Sequence, residues 1–173
     1  MLHEFRYIAP TTTGSLVDAL EEHKHDGKLL AGGTDLIPNI RNGIMRPAWT
    51  IDVKKIPDAS LLSWSQMDGL SLGPAVTIND LLRSRDVRTH FPVLCEAAHE
   101  LASHQVRNRA TVIGNVVNAS PCSDMAPALL CLGASAVLRS KIGQRTVPFS
   151  EFFAGVKKTV LVPGEFLERI IVP

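Results

Sequence analysis

Two stretches of this chain carry residue types at spacings suited to gripping an anionic ligand. The first, LLAGGTDLIPNIRNG from Leu29 to Gly43, places Gly32-Gly33-Thr34-Asp35 where an apolar strand hands over to a helix. Glycines let a ligand come close to the backbone, and the bare N–H groups and dipole of a helix start favour phosphate. The same residues also make an ordinary tight turn, which the segment taken alone favours because paired glycines are common in turns. No GKS or GKT follows, which excludes the nucleoside triphosphate loop, and no GxGxxG occurs, which removes the usual dinucleotide fingerprint.

The second stretch, RNRATVIGNVVNASPCSDMAPALLCLGA from Arg107 to Ala134, repeats the logic with Thr111, Gly114 and Asn115, then Ser123 and Asp124. Thr and Asn side chains with a glycine amide supply several donors to a pyrophosphate. The carboxylate of Asp124 cannot favour phosphate, but it can accept hydrogen bonds from ribose or ribityl hydroxyls. From the residues alone it reads more readily as the N-cap of a helix running from Met125 to Leu132.

The elements that must hold these loops follow from patterning. Glu4 to Ile8 reads as a strand, and Thr11, Thr12 and Thr13 offer caps to a helix bearing Leu16, Val17 and Leu20, which Gly27 is expected to close. Lys28 to Ala31 is a strand, Leu36 to Ile40 a short helix ending at Gly43, and Trp49 to Val53 a further strand. Alternating strand and helix make a small parallel unit. From Leu61 the order changes: Leu61 to Trp64 and Leu70 to Leu72 flank the turn signal Asp68-Gly69, and Thr77 caps a helix through Leu82. Pro92 to Ala102 is an amphipathic helix, Arg107 to Pro127 a polar segment, and Ala128 to Leu132 helical again. Ala134 to Leu138, Arg145 to Val147 and Leu167 to Val172 are strands, with a short helix starting at Ser150. No repeat or linker is evident.

Composition narrows the function classes. At 173 residues and 45% hydrophobic, the chain can build a real core, while 18 basic against 17 acidic residues leave a formal net charge of +1. That balance gives no reason to expect nucleic acid or an anionic membrane as partner. The longest nearly apolar stretch, Ala128 to Leu138, is far shorter than the ~18–20 residues of a membrane span, and MLHEFRY lacks a signal-peptide core, so a soluble, cytoplasmic protein is expected. Cys95, Cys122 and Cys131 show no CxxC spacing, so neither a disulfide framework nor a zinc or iron–sulfur site is indicated. Cys95 and Cys131 read as small core residues and Cys122 as a reachable loop thiol. His23 and His25 read as solvated, His104 has no catalytic role, and Arg83, Arg85 and Arg88 form a solvated face.

The AGGTDLIP segment, the later ATVIGNVVNASPCSDMAPALLCLGA, the intervening SHQVRNRAT and the terminal PGEFLERIIVP occur in the order seen in one family. The chain resembles, from Tyr7 to Pro173, the flavin-binding medium subunit of the molybdenum hydroxylases. That family includes xanthine dehydrogenase, carbon monoxide dehydrogenase and 4-hydroxybenzoyl-CoA reductase. The resemblance implies an α+β, two-lobed FAD-binding domain of the PCMH type: a small parallel α/β lobe at 1–55, then a larger mixed or antiparallel lobe with helices at 56–173. It implies noncovalent FAD with its pyrophosphate between the two loops. The first contacting segment matches Ala31, Gly32, Gly33, Thr34, Asp35 and Leu36; the second matches Thr111, Val112, Ile113, Gly114 and Asn115. The acidic position meeting FAD hydroxyls matches Asp124. Electrons would arrive from 2Fe–2S clusters in an iron–sulfur small subunit, fed by a molybdopterin large subunit, and leave to NAD or a quinone; the flavin does the chemistry.

Two departures from the family pattern matter. The family usually writes two glycines before the Asn, whereas this chain has Ile113-Gly114-Asn115, and a β-branched residue disfavours positive φ and crowds a backbone approach. Weaker or shifted pyrophosphate contact is expected there. The chain also ends where the family's C-terminal domain begins, so that domain is expected to be absent and the flavin more exposed and weakly held. An alternative is a scaffold subunit of the same complex that has lost effective FAD binding; a stand-alone flavin oxidase lacks a substrate domain and a candidate base.

Overall fold

The computed structural model describes residues 3–173; Met1 and Leu2, which open the expected first lobe, lie outside the described residues. In the N-terminal part, β1 (Arg6–Ile8), α1 (Thr13–Glu22), β2 (Gly27–Leu30), α2 (Leu36–Arg41) and β3 (Trp49–Asp52) alternate as expected. The three strands pair in parallel in the order β1-β3-β2. Thr12 caps α1 by accepting from the Ser15 N–H at 3.0 Å, and the Ser15 hydroxyl takes the Thr12 N–H in return. The stripe Leu16, Val17 and Leu20 is thereby turned onto Ile51 of β3.

The second sheet is antiparallel. β4 (Leu62–Ser65) and β5 (Gly69–Leu72) form the hairpin signalled by Asp68-Gly69. Then follow α3 (Ile78–Arg83), α4 (Arg85–His90), α5 (Pro92–Glu100), α6 (His104–Arg107), α7 (Val112–Val117) and α8 (Met125–Cys131). β6 (Ser135–Ser140), β7 (Gly143–Pro148), α9 (Phe149–Phe152), the small hairpin β8 (Phe153–Gly155) and β9 (Lys158–Thr159), and β10 (Phe166–Val172) complete the chain. The strand order is β4-β5-β10-β6-β7, so the last strand sits in the middle. The helices cover this sheet with an aliphatic core of Leu72, Leu81, Leu94, Leu129 and Ile170, joined by Phe149 and Phe152. The α+β expectation, with a small parallel sheet followed by a larger antiparallel one with helices, holds.

Several local expectations do not. Gly27 starts β2 rather than closing α1, which ends at His23; the Gly27 N–H donates to the His23 carbonyl at 2.7 Å. His23 is not solvated: its ring stacks on Trp49 at 4.2 Å with the side chain 11% exposed. Cys131 is exposed, on the outer side of α8, rather than a core residue. The segment Arg107 to Pro127 is not an open loop, because α7 lies within it and α6 leads into it. Their six and four residues are too few to show a helical period, and only the capping Thr111 and Ser103 announce them.

Phe166 joins the two parts: it belongs to β10, yet its fully buried ring packs with Leu16 and Ile51 against the parallel sheet. Phe166→Ala is expected to lower unfolding free energy by about 3–5 kcal/mol, the range for emptying a buried aromatic site. Chemical denaturation followed by tryptophan fluorescence checks this, and a loss under about 1 kcal/mol would show that the two cores are not coupled through this ring.

Candidate functional site

The first loop leaves β2 and turns at Gly33, whose φ of +75° lies in the left-handed region that L side chains resist. Gly32 has another reason to be glycine: a Cβ there would come 2.0 Å from the Arg109 carbonyl oxygen of the second loop. After the turn the Ile37 N–H bonds to the Gly33 carbonyl and α2 begins. The N–H groups of Gly32, Gly33, Thr34 and Asp35 take no intrachain acceptor among the described residues. Asp35 does not cap α2; its carboxylate accepts from the Asn39 amide at 2.9 Å.

A cluster around one buried carboxylate holds this loop from beneath. Asp52 ends β3 and is 4% exposed; its carboxylate meets the Lys54 ammonium at 2.7 Å, the Tyr7 hydroxyl at 2.7 Å and the Lys54 N–H at 2.8 Å. The Lys54 ammonium also donates to the Ala31 carbonyl at 3.0 Å, at the threshold of the loop. Burial pushes the Asp52 carboxyl up, but these hydrogen bonds and the Lys54 charge outweigh it and leave the group below its ordinary value.

The second loop is pinned to the antiparallel part: Ile78 donates to the Ala110 carbonyl at 2.9 Å and Val112 to the Val76 carbonyl at 3.1 Å. Thr111 is the N-cap of α7, and its hydroxyl oxygen accepts from the Gly114 N–H at 3.0 Å. Thr111 is thus a positioning residue, with its oxygen already engaged. Val112 is fully buried and faces the core. Ile113 is in the first turn of α7 and is not among the residues with positive φ; its side chain joins the larger core. The expected backbone strain at this position is therefore absent, and a glycine there would also empty core volume.

The two loops face each other across a cleft of about 560 Å³, within the usual range of ligand pockets. Every residue of Ala31 to Leu36 lines it, with Thr111, Ile113, Gly114 and Asn115 opposite. Val112 does not, and Asp124 lines a separate surface hollow between α5 and α8 with Glu96 and Glu100. Asp124 makes no capping bond and no ion pair among the described residues. The start of α8 is served instead by Ser123, which accepts from Ala126 at 3.3 Å, and by Asn115, whose Oδ1 accepts from Met125 at 3.3 Å and from the Ser123 hydroxyl at 2.6 Å. The sequence reading missed Lys28, Asn118 and Lys157, which also line the cleft; Lys28 and Lys157 lie outside both motifs, and Asn118, within the second, was not singled out from its neighbours.

Residues 3–173 match the family described as the FAD binding domain in molybdopterin dehydrogenase, and the chain belongs to that family. It is 35% identical to the carbon monoxide dehydrogenase medium chain of Hydrogenophaga pseudoflava over 98% of its own length and 58% of that protein. It is 30% identical to the xanthine dehydrogenase FAD-binding subunit of Escherichia coli O157:H7, over 93% of this chain and 55% of that one. Among solved structures, carbon monoxide dehydrogenase from Hydrogenophaga pseudoflava superposes with a TM-score of 0.96 at 34% identity, covering 100% of this chain and 60% of the other. The chain thus spans a little under two thirds of the proteins it matches. No helix among the described residues is long and apolar enough to cross a membrane. The donor set suits the family's cofactor: consecutive unengaged amides meet a diphosphate, and the apolar walls Leu29, Val117 and Leu161 suit flat rings.

Gly32→Ala is expected to force the loops apart, lowering stability by about 1–3 kcal/mol and abolishing flavin uptake. Calorimetry with and without FAD measures both, and unaltered uptake would contradict the close approach. The Asp52 carboxyl is more acidic in the folded chain, so its stabilisation is complete above the unfolded carboxylate pKa of about 3.9 and is lost as pH falls through the lower folded value. Asp52→Asn should therefore flatten the acid limb of a plot of thermal midpoint against pH below about 4.

Proposed function

We propose that this domain binds FAD noncovalently in the cleft, with the diphosphate between Ala31–Leu36 and Thr111–Asn115, as the flavin module of a cytoplasmic molybdenum hydroxylase complex. The reading is carried by the run of unengaged amides from Gly32 to Asp35, directed by a left-handed turn and set against the start of α7. In it, the two expected lobes, 1–55 and 56–173, are the walls of the cleft.

This chain's residues bind and orient. The amides of Gly32 to Asp35 meet the diphosphate oxygens, and Gly114, its N–H fixed by Thr111, lets the ligand approach the second wall without a side chain in the way. The Asn115 carboxamide oxygen is held by Ser123 and Met125, which leaves its NH₂ to donate. Asp124, with neither a capping bond nor an ion pair among the described residues, lines the hollow beside α8 rather than the cleft itself, so its role as acceptor of FAD hydroxyls rests on the resemblance to the family's acidic position. Bound FAD supplies exchange between paired and single electrons, which side chains cannot perform. An iron–sulfur small subunit, itself served by a molybdopterin large subunit, delivers the electrons, and NAD or a quinone receives them. The similarity to a carbon monoxide dehydrogenase medium chain and a xanthine dehydrogenase FAD-binding subunit supports a place in a multi-subunit assembly.

Titration of FAD into the purified chain should quench flavin fluorescence saturably and leave a yellow protein after gel filtration. A folded, colourless chain that takes up no FAD would favour the scaffold reading instead. Asp124→Ala should weaken FAD binding by about 1–3 kcal/mol with little change in thermal midpoint. A stability loss with unchanged affinity would make the carboxylate merely structural.

A further inference from the structure

Lys157, like Lys28, is a cation of the cleft whose placement the diphosphate cradle does not explain. It sits in the turn of the β8–β9 hairpin with φ +57°, a left-handed conformation that a side chain other than glycine or asparagine adopts at some expense. Its N–H is fastened to the Ala119 carbonyl at 2.8 Å, just beyond α7, and its ammonium donates to the Asn118 carboxamide oxygen at 2.9 Å. Both partners are neutral, and Lys157 forms no ion pair among the described residues. A strained backbone thus holds an uncompensated cation against the wall of a ligand cleft.

Position along α7 says what that cation meets. Thr111 caps the start of the helix and Gly114 and Asn115 lie in its middle, whereas Asn118, seven positions or roughly 10 Å beyond Thr111 at about 1.5 Å each, and its partner Lys157 lie at its end. Gly32 lies against Arg109 and Ala110, ahead of α7, so the first-loop amides gather a diphosphate toward the end of the helix away from Lys157. Val117 precedes Asn118, the partner of Lys157, and Leu161 follows the β8–β9 hairpin; both line the cleft as apolar groups that suit a flat ring better than a phosphate. Resting on the FAD-binding reading above, we propose that this end of the cleft takes the isoalloxazine ring and that Lys157 is the cation that favours its reduced form. Two electrons from the iron–sulfur donor and one proton from water convert the neutral oxidised ring to a reduced ring with one negative charge. An ammonium beside the ring stabilises that product and not the starting form, so it raises the reduction potential.

The test is the potential of FAD bound to the full 173-residue chain, measured by equilibration with a reference dye under dithionite reduction. Lys157→Met should lower the equilibrium constant for reduction about tenfold, close to 30 mV for two electrons, with less than threefold change in affinity for oxidised FAD. Lys157→Arg should keep the wild-type potential. Lys157→Gly removes the cation while relaxing the left-handed backbone, so the potential should fall with no loss of thermal midpoint; this separates charge from folding. Unchanged potentials in Met and Gly variants that still bind FAD would overturn the role of Lys157 alone. Variants that lose affinity for oxidised FAD at constant potential would overturn it as well, making Lys157 a simple binding residue. A wild-type chain that takes up no FAD would overturn the underlying reading itself.

Discussion

The site depends on one close approach of main chain to main chain, where the bare Cα of Gly32 faces the carbonyl of Arg109 with no room for a side chain. Contacts between side chains can be retuned by a rotamer change, but a backbone contact moves only if an element moves. The first loop inherits its position from β2 and its parallel partner β3. The second inherits its position from the bonds of Ile78 to Ala110 and Val112 to Val76, at the edge of the helical layer over the antiparallel sheet. The distance between the two donor sets is therefore fixed by two separately packed sheets, and Phe166, reaching from β10 into the smaller core, keeps those sheets in register with each other.

That construction explains how a set of unengaged amides survives folding. Buried N–H groups without acceptors are strongly unfavourable, but Thr34 and Asp35 are exposed and Gly32 and Gly33 half-buried, so water satisfies them until a ligand arrives. The ligand exchanges with water rather than filling an unmet need, and the selectivity comes from geometry. The geometry is in turn protected by the Asp52–Lys54–Tyr7 cluster, where a buried carboxylate has three partners and its ammonium partner ties down the Ala31 carbonyl.

Much of this was legible in the sequence, for reasons that differ by element. The Thr12 and Thr77 caps and the apolar spacing of α1 announced their helices because capping and amphipathicity are local properties. Gly32-Gly33 and Thr111 to Asn115 stood out because glycine beside small polar residues is a local signature as well. What stayed hidden is what depends on distant partners. The stacking of His23 on Trp49 is decided by β3 pairing with β2, and the helical φ of Ile113 by a six-residue helix too short to show a period. Lys157 reaches the cleft only because the β8–β9 hairpin folds back onto Ala119, a contact between positions far apart in the chain.

Asn115 shows how the second wall is joined to the rest. A residue in that wall would ordinarily spend its carboxamide on the ligand alone, but here the oxygen accepts from the Ser123 hydroxyl and the Met125 N–H, and Ser123 in turn receives the Ala126 N–H. The start of α8 is thereby capped by a side chain from α7, and the capping position itself, Asp124, is relieved of that duty. A carboxylate freed from capping keeps its acceptor capacity for something outside the chain. Because the same Asn115 orients both the cleft wall and the α8 start, any shift of one is passed to the other through a single carboxamide, so the two stretches of sequence that looked like separate motifs form one rigid unit.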